Sequence, residues 1–255
     1  MQASHDQFVL ALDQGTTSAR AILFDRKGNT HGIAQREITQ HYPQPSWVEH
    51  DANEIWQAQI AVARAVLRDN AIAATQVAAI GITNQRETVV AWDRTTGEPL
   101  ARALVWQDRR TADRCRLLRE QGQESAVQAR SGLLLDPYFS ATKMRWLIDN
   151  VPEVAEAAGQ GRLAFGTVES WLTFKLSGGA HISDASNASR TMLLPLEGAS
   201  WDDGLCTLFG VPQAALPEVC DNAGDLARTA PEWFGRAIPI TGMAGDQQAA
   251  TLGQS

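Results

Sequence analysis

Residues 8–24 read FVLALDQGTTSARAILF, in which two short apolar runs, 8–12 and 19–24, flank a polar turn. A third, weaker run at 30–37 follows the turn signal Lys27-Gly28-Asn29. Apolar runs of this length that are separated by glycine-containing turns are typical of strands joined in hairpins. The N-terminal part of the chain therefore predicts an antiparallel meander of three strands.

Downstream of this meander the hydrophobic period changes from that of a strand to that of a helix. Within residues 53–70, apolar side chains recur at steps of four, three and four: Trp56, Ile60, Ala63 and Leu67. This spacing places them on one face of a helix. Asp51, followed three residues later by Glu54, is an N-terminal capping signal.

Beyond this helix the pattern predicts three more strands up to Trp106 and a mostly helical part after it, closed by one further strand. Further strands are predicted at 77–83, 88–92, 100–106 and 238–241, and further helices at 109–121, 140–149, 168–176 and from Asp246 onward. A meander followed by a helix and a buried strand predicts an α/β layered domain.

The composition excludes several classes of protein. The chain has 255 residues, is 44% hydrophobic and carries 22 Lys+Arg against 29 Asp+Glu, a net charge of −7. It has neither the low hydrophobicity of a disordered chain nor the run of about 18 apolar residues that a membrane-spanning helix needs, and its acidic balance does not suit nucleic acid. Three cysteines without a pairing motif, and no leader pattern in residues 1–25, predict a cytoplasmic protein.

The polar turn within residues 8–24 contains the residue types of a phosphate and magnesium cradle. Gly15 lets the backbone approach an anion, Thr16, Thr17 and Ser18 offer hydroxyl and N–H donors, and Asp13 can hold a hard cation through oxygen. A simple polar hairpin turn uses the same residue types, so local sequence leaves both interpretations open. The chain contains neither GxxxxGK[ST] nor a GxGxxG after a predicted strand, which excludes a P-loop and leaves a dinucleotide fold unsupported.

Polar side chains also follow two predicted strands. Arg86 and Glu87 come directly after the buried strand 77–83, and Trp106 ends another strand. In α/β sheets ligands gather beyond the carboxyl ends of the strands, where an adjacent donor and acceptor can hydrogen-bond a polyol. The alternatives are an exposed ion pair of little energetic value and an ordinary core tryptophan.

The segment 242–247, Gly-Met-Ala-Gly-Asp-Gln, is predicted to be a glycine-rich turn from a strand into a helix. Asp246 at the start of that helix is interpreted either as an N-cap or as a general base aimed into the same crevice. The segment 184–190 is interpreted as a polar turn, and Trp146 and Trp171 as core residues; none of these is assigned a role.

Taken together and in this order, the motifs resemble the FGGY family of carbohydrate kinases along nearly the whole chain. The segment YFSATKMRWLIDN at 138–150 is similar to a signature of that family. The resemblance is carried by ALDQGTTSAR from Ala11, WVEHDANEIW from Trp47, AAIGITNQRET from Ala78, VWQDRRTA from Val105, DPYFSATK from Asp136, FGTVESWLTFKL from Phe165, NASRTML from Asn187 and GMAGDQQAA from Gly242.

This resemblance implies a ribonuclease-H-like, actin-like ATPase fold, with a mixed sheet flanked by helices. It implies that residues 1–255 are the N-terminal, substrate-side domain, ending where a C-terminal ATPase domain would start, in a protein that forms a homodimer or tetramer. It also implies transfer of the γ-phosphoryl group of ATP to a terminal hydroxyl of glycerol with Mg²⁺. Family members are roughly twice as long, so we expect this chain alone to be a poor kinase or none.

The resemblance also implies a role for each matching residue. Asp246 is the expected catalytic base. The expected glycerol-binding residues are Arg86, Glu87, Trp106, Tyr138, Asp246 and Gln247. The expected contacts to the ATP phosphates are Thr16, Thr17, Ser18 and Arg20, and Asp13 is the expected magnesium ligand. Two alternatives are a relative acting on xylulose or gluconate, although such relatives usually lack the NQRET block, and a non-catalytic polyol-binding module.

Overall fold

Strands predominate between residues 8 and 104, and four consecutive helices follow between residues 112 and 159. The structure, a computed structural model, describes residues 7–255, so the first six residues of the segment considered for a leader lie outside the described residues. The strands are β1 (Phe8–Gln14), β2 (Ser18–Phe24), β3 (Thr30–Glu37), β4 (Glu49–His50), β5 (Val77–Asn84), β6 (Val90–Asp93), β7 (Ala103–Leu104), β8 (Leu163–Gly166), β9 (Ile182–Asp184), β10 (Glu218–Cys220), β11 (Ala223–Arg228) and β12 (Pro239–Gly245). The helices are α1 (Ala52–Asp69), α2 (Ala112–Glu120), α3 (Glu124–Ser131), α4 (Ser140–Asn150), α5 (Pro152–Gly159), α6 (Val168–Ser177), α7 (Ala185–Ala188), α8 (Asp203–Phe209), α9 (Pro231–Phe234) and α10 (Asp246–Gly253).

The predicted meander forms one half of a six-stranded mixed sheet with the order β11-β12-β5-β1-β2-β3. The pairs β1/β2, β2/β3 and β11/β12 are antiparallel, and β1/β5 and β5/β12 are parallel. Asn84 at the end of β5 is in register with Gln14 on β1 and with Gly245 on β12. The carboxyl ends of the three central strands therefore meet at one edge of the sheet, where ligands bind in α/β folds.

Helix α1 covers the meander through its predicted apolar face. All four predicted residues of that face are buried. The Asp51 side chain caps the helix and accepts hydrogen bonds from the backbone N–H groups of Asn53 (2.8 Å) and Glu54 (3.2 Å). The Glu54 carboxylate does not return to the cap, because it accepts hydrogen bonds from the backbone N–H and the hydroxyl of Thr39 instead. The helix start is confirmed, and only half of the capping box forms.

A second hydrophobic cluster, distinct from the core of the large sheet, lies among α2, α4, α5 and α8. Beside it, the side chain of Arg110 is buried: its guanidinium carbon lies 3.7 Å from the ring centre of Trp47 and 4.5 Å from that of Trp146. The carboxylates of Asp108 and Glu49 accept hydrogen bonds from its guanidinium group at 2.8 Å each.

Trp171 is entirely buried in the core of the large sheet, and its indole N–H donates to the carbonyl oxygen of Ala52 at 2.8 Å. The core interpretation is therefore confirmed for Trp171, whereas Trp146 is partly buried, packs against the second cluster and also stacks on Arg110.

Three local predictions differ from the structure. The strand predicted at 100–106 is only two residues long, β7. It ends there because the chain turns at Val105 and the backbone N–H of Trp106 donates to the hydroxyl oxygen of Thr88 at 3.1 Å. The polar turn predicted at 184–190 contains the short helix α7, which the Asp184 side chain caps. The glycine-rich turn predicted at 242–245 is strand β12, which stays paired with β5 up to Gly245.

Among the described residues, no helix is long and apolar enough to cross a lipid bilayer.

His181 gives the fold a specific sensitivity to acid. Its Nε2 lies 2.8 Å from the carbonyl oxygen of Phe165, and its ring packs edge-on against Trp92. Burial lowers the pKa of His181 to about 4 from an ordinary value of 6.5. The unfolded chain therefore binds more protons than the folded chain between pH 6.5 and 4, so the free energy of unfolding falls as the pH falls through that window.

We expect His181→Gln to remove this part of the acid sensitivity, because glutamine can still donate to the Phe165 carbonyl but does not titrate. Between pH 7 and pH 4 the parent should lose about 3 kcal/mol more unfolding free energy than the variant. Urea denaturation at a series of pH values measures the difference. Parallel curves for parent and variant would show that His181 does not titrate in this way.

Candidate functional site

The candidate site lies at the edge of the sheet where the carboxyl ends of β1, β5 and β12 meet. The turn 15–17 follows β1, the segment 85–88 follows β5, and α10 follows β12 without an intervening turn. Three separate motifs of the sequence are thereby brought to one place by strand register. Most of the predicted site residues lie on or beside these three segments.

Arg86 and Asp246 are in direct contact. Arg86 Nε donates to Asp246 Oδ1 at 3.1 Å, with the arginine side chain 5% exposed and the carboxylate 49% exposed. The same Oδ1 accepts the backbone N–H of Gln247 at 2.7 Å. Gly245, and not Asp246, is the N-cap of α10. Among the described residues Asp246 Oδ2 has no hydrogen-bond partner, so one carboxylate oxygen faces solvent and can accept a proton from a ligand hydroxyl.

Gly245 allows this contact to form. A Cβ atom at Gly245 would lie 2.3 Å from Cδ and 2.7 Å from Cγ of Arg86, far inside van der Waals distance. These are atoms in the middle of a buried side chain, which has no free volume in which to move. The glycine is therefore required by the close approach of β12 to the arginine.

Glu87 is buried and adopts a left-handed backbone conformation with φ of +61°. Such a conformation is costly for a residue with a side chain, and it occurs preferentially at functional sites. Arg190 Nε donates to Glu87 Oε1 at 2.7 Å, and the Ser140 hydroxyl donates to the Glu87 carbonyl oxygen at 3.1 Å. The strained turn is thus held by residues 53 and 103 positions away in sequence.

Trp106 and Tyr138 form an aromatic wall beside these charged groups. Their ring centres lie 5.8 Å apart at an interplanar angle of 75°. The indole Nε1 of Trp106 donates to the hydroxyl oxygen of Thr16 at 2.9 Å. Burial raises the pKa of Tyr138, and the nearby Glu87 carboxylate raises it further, so the phenol stays neutral and able to donate a hydrogen bond.

Asp13 lies at the end of β1, opposite Arg20 of β2. The shortest distance between the Asp13 carboxylate and the Arg20 guanidinium is 3.5 Å. Burial raises the pKa of Asp13; the Arg20 guanidinium opposes this shift, and the charge of Asp246 adds to it. Within residues 7–255 no group of three or more His, Cys, Asp or Glu side chains is arranged to hold a metal ion. A site of one or two carboxylates nevertheless fits Mg²⁺, which keeps several waters and takes further oxygen ligands from phosphates.

The other predicted phosphate-binding residues are partly engaged with the meander. The Ser18 hydroxyl accepts Gln35 Nε2 at 3.1 Å, and Arg20 Nε donates to Gln35 Oε1 at 3.2 Å. Thr17 is exposed and accepts the Ile38 N–H through its carbonyl oxygen. The turn therefore presents side chains and backbone to solvent next to Asp13.

Gln247 is the predicted residue that the structure does not bring into the cluster. Its side chain is exposed on α10 and lines a shallow cavity of about 530 Å³ together with Gln248, Thr251 and Leu252. Only its backbone N–H touches the site, through Asp246. The assignment of Gln247 to the polyol stays a prediction.

A buried polar network below the site is not evident from the sequence. Asn84 Nδ2 donates to Glu169 Oε2 at 3.0 Å and to Asn187 Oδ1 at 2.9 Å, and Asn187 Nδ2 donates to Asp184 at 2.7 Å. Asp184 in turn accepts Asn222 Nδ2 at 2.8 Å. This chain of hydrogen bonds links the end of β5 to α6, α7 and the loop before β11.

Two further hydrogen bonds connect this network to β12, at the edge of the sheet where the site lies. The Ser186 hydroxyl accepts the backbone N–H of Gly245 at 2.8 Å, and Asn222 Nδ2 donates to the carbonyl oxygen of Met243 at 2.9 Å. Glu169 is completely buried, and burial together with Asp184 raises its pKa to about 7. The sequence signals for this network are Asn84, a polar residue directly after the apolar run 77–83, and Glu169, a charged residue inside the predicted helix 168–176.

Comparison with known proteins identifies the class to which this arrangement belongs. Residues 8–253 match the model of the FGGY family of carbohydrate kinases, N-terminal domain. The chain belongs to this family. Its mixed sheet flanked by helices is the ribonuclease-H-like, actin-like ATPase fold that the resemblance implied.

Glycerol kinases are similar to this chain along its whole length. The glycerol kinase of Dechloromonas aromatica is 62% identical over the whole chain, which covers 51% of that protein, and the glycerol kinase of Janthinobacterium is 56% identical over 98% of the chain and 50% of its own length. The crystal structure of Plasmodium falciparum glycerol kinase with ADP matches with a TM-score of 0.92 and 35% identity, over 98% of this chain and 50% of that one. The xylulose kinase of Rhodospirillum rubrum matches with a TM-score of 0.85 at 24% identity, over 96% of this chain and 50% of that one, which shows the fold alone. The chain spans about half the length of the curated relatives it matches.

Proposed function

We propose that the chain is the substrate-side domain of a glycerol kinase, which transfers the γ-phosphoryl group of ATP to a terminal hydroxyl of glycerol. The observation that carries the proposal is the buried Arg86 in contact with the half-exposed Asp246, beside Glu87 and the Trp106–Tyr138 wall. The high identity to proteins named glycerol kinase supports glycerol as the substrate.

The site supplies groups that complement a small polyol. Arg86 donates hydrogen bonds, Glu87 accepts them, and the neutral Tyr138 phenol does either. The face of Trp106 offers an apolar surface to the carbon chain. In this proposal Asp246 Oδ2 accepts the proton of the attacking hydroxyl, while Oδ1 stays fixed by Arg86 and the backbone.

The turn after β1 is proposed to hold the nucleotide end. Thr16, Thr17, Ser18 and Arg20 would contact the ATP phosphates, and Asp13 would hold Mg²⁺, which when bound spreads and neutralises the charge of the transferring phosphoryl group. The raised pKa of Asp13 fits this role, because the desolvation that disfavours its lone negative charge is relieved by a cation. Trp106 joins the two ends of the site through its bond to Thr16.

A substrate panel tests the assignment. Residues 7–255 can be joined to the C-terminal half of the Dechloromonas aromatica glycerol kinase, with that complete relative as the control. We expect the chimera to phosphorylate glycerol and to leave D-xylulose and D-gluconate unmodified, and the 255-residue chain alone to show no steady turnover. Preferred transfer to either sugar, or no transfer at all by a folded chimera, would contradict the proposal.

A further inference from the structure

Lys143 is a fully buried cation outside the set of residues that the proposed function uses. Its side chain is 0% exposed, and its ammonium group donates to three consecutive backbone carbonyl oxygens: Pro137 (2.8 Å), Tyr138 (2.6 Å) and Phe139 (3.2 Å). Among residues 7–255 no carboxylate lies within 4.0 Å of it. Lys143 belongs to the signature-like segment 138–150, but it is not among the residues that the resemblance places at the ligand.

A buried lysine at this position is energetically unfavourable for two reasons. Lys143 lies in the first turn of α4, where the helix dipole disfavours a positive charge. Burial of an ammonium group without a carboxylate in contact is costly as well, and burial lowers the pKa of Lys143 to about 7, although the charges of Asp108 and Glu87 at longer range oppose this shift. A methionine would fill the same volume without either cost, so packing alone does not account for a lysine.

The three carbonyl groups belong to the segment that carries Tyr138 into the site. This segment has no regular secondary structure, and Phe139, the N-cap of α4, provides no side-chain cap. Lysine side chains on a helix point back toward the N-terminus, so Lys143 reaches under the turn and collects carbonyl groups of the segment before the helix. The same turn is tied to the site from the other side, by the hydrogen bond from Ser140 to the Glu87 carbonyl oxygen.

We propose that Lys143 is a positioning residue for polyol binding, whose ammonium group fixes the 137–139 turn and thereby holds Tyr138 against Trp106 beside Glu87. The proposal rests on the proposed function of the site. Lys143 does not touch the ligand, because its amine is enclosed by the turn that it organises. Loss of the amine releases three carbonyl oxygens and lets Tyr138 leave its position.

The test compares Lys143→Met with Lys175→Met in the 255-residue chain. Lys175 Nζ also donates to a backbone carbonyl, that of Gly97 at 3.2 Å, but it lies against Trp171 and not at the site. By calorimetric titration with glycerol we expect Lys143→Met to raise the Kd about tenfold or more and Lys175→Met to leave it unchanged. Lys143→Gln, which keeps two donors, should lie between parent and Lys143→Met and serves if the methionine variant does not fold.

Two further readouts separate positioning from general stability. In a Tyr138→Ala background, Lys143→Met should add little further loss of affinity, because both changes remove the same contact. Amide hydrogen exchange of peptides covering 136–142 should accelerate in Lys143→Met and not in Lys175→Met. Unchanged glycerol affinity in a folded Lys143→Met, or fully additive losses with Tyr138→Ala, would overturn the proposal.

The two proposals fail in different ways. If the parent chain takes up no glycerol, a polyol site formed within this chain is contradicted, whereas the chimera still tests the proposed function; hydrogen exchange alone then decides whether Lys143 organises the turn. Unaltered exchange at 136–142 in Lys143→Met overturns the inference in that case. If the parent binds glycerol and Lys143→Met binds it equally well, only the inference about Lys143 fails.

Discussion

Replacing Asp246 by asparagine is expected to lower kcat for phosphoryl transfer to glycerol by roughly 10²- to 10⁴-fold, the usual contribution of a positioned general base. Asparagine keeps the shape of the side chain and can still accept from Arg86 through its carbonyl oxygen, but its second position becomes an amide that cannot take up a proton. The loss should therefore appear in kcat, with the fold retained. Initial rates in the chimera with the Dechloromonas aromatica C-terminal half measure it.

The matched control is Asp225→Asn. Asp225 is an exposed carboxylate on β11, 3.5 Å from Arg228 on the same strand, and it has no contact with the site. We expect its kcat to equal that of the parent. Full activity in Asp246→Asn would remove Asp246 from the proposed mechanism, and an equal loss in both variants would point to a general effect of charge.

Gly245→Ala is expected to weaken glycerol binding by about tenfold or more and to destabilise the chain by about 1–3 kcal/mol, the usual cost of overpacking. The backbone of Gly245, with φ of −59°, suits alanine, so the effect is purely steric. The added methyl group overlaps Arg86 Cδ and pushes the guanidinium away from Asp246. Calorimetry with glycerol and urea denaturation measure the two effects.

Gly253→Ala is the control for this substitution, because a Cβ atom at Gly253 meets no atom within 4 Å. Alanine in this last turn of α10 should leave glycerol affinity unchanged and affect stability little. If Gly245→Ala binds glycerol as tightly as Gly253→Ala does, Arg86 is able to move freely. Such a result would contradict a rigid Arg86–Asp246 pair.

The parts of the fold that the sequence predicts well are those determined by local patterns. The three-strand meander and α1 follow from hydrophobic period and turn residues within a few positions of each other. Asp51 is recognisable as a helix cap because its partners, Asn53 and Glu54, are its neighbours in sequence. The apolar pattern overestimates the length of strand β7, which has only two residues. The end of this strand is set by a hydroxyl that is distant in sequence, that of Thr88.

The features of the candidate site also fall into those that the local sequence predicts and those that it does not. The strand-end motifs around Asp13, Arg86 and Asp246 are visible one by one, and register at a shared sheet edge explains why they meet. The Arg190–Glu87 ion pair joins residues 103 positions apart, and the left-handed backbone of Glu87 is not expected from its residue type. Both depend on tertiary contacts that only the folded chain establishes, which is why the sequence of residues 184–190 predicts no more than a polar turn.

A calorimetric titration of the 255-residue chain with glycerol tests the central claim most directly, with D-xylulose and an Asp246→Ala variant as comparisons. The claim is that Arg86, Glu87, Trp106, Tyr138 and Asp246 form a polyol site within this chain. We predict saturable heat with glycerol, less with D-xylulose, and none with the variant. No heat from a chain shown by circular dichroism to be folded, or equal heat from parent and Asp246→Ala, would contradict this claim.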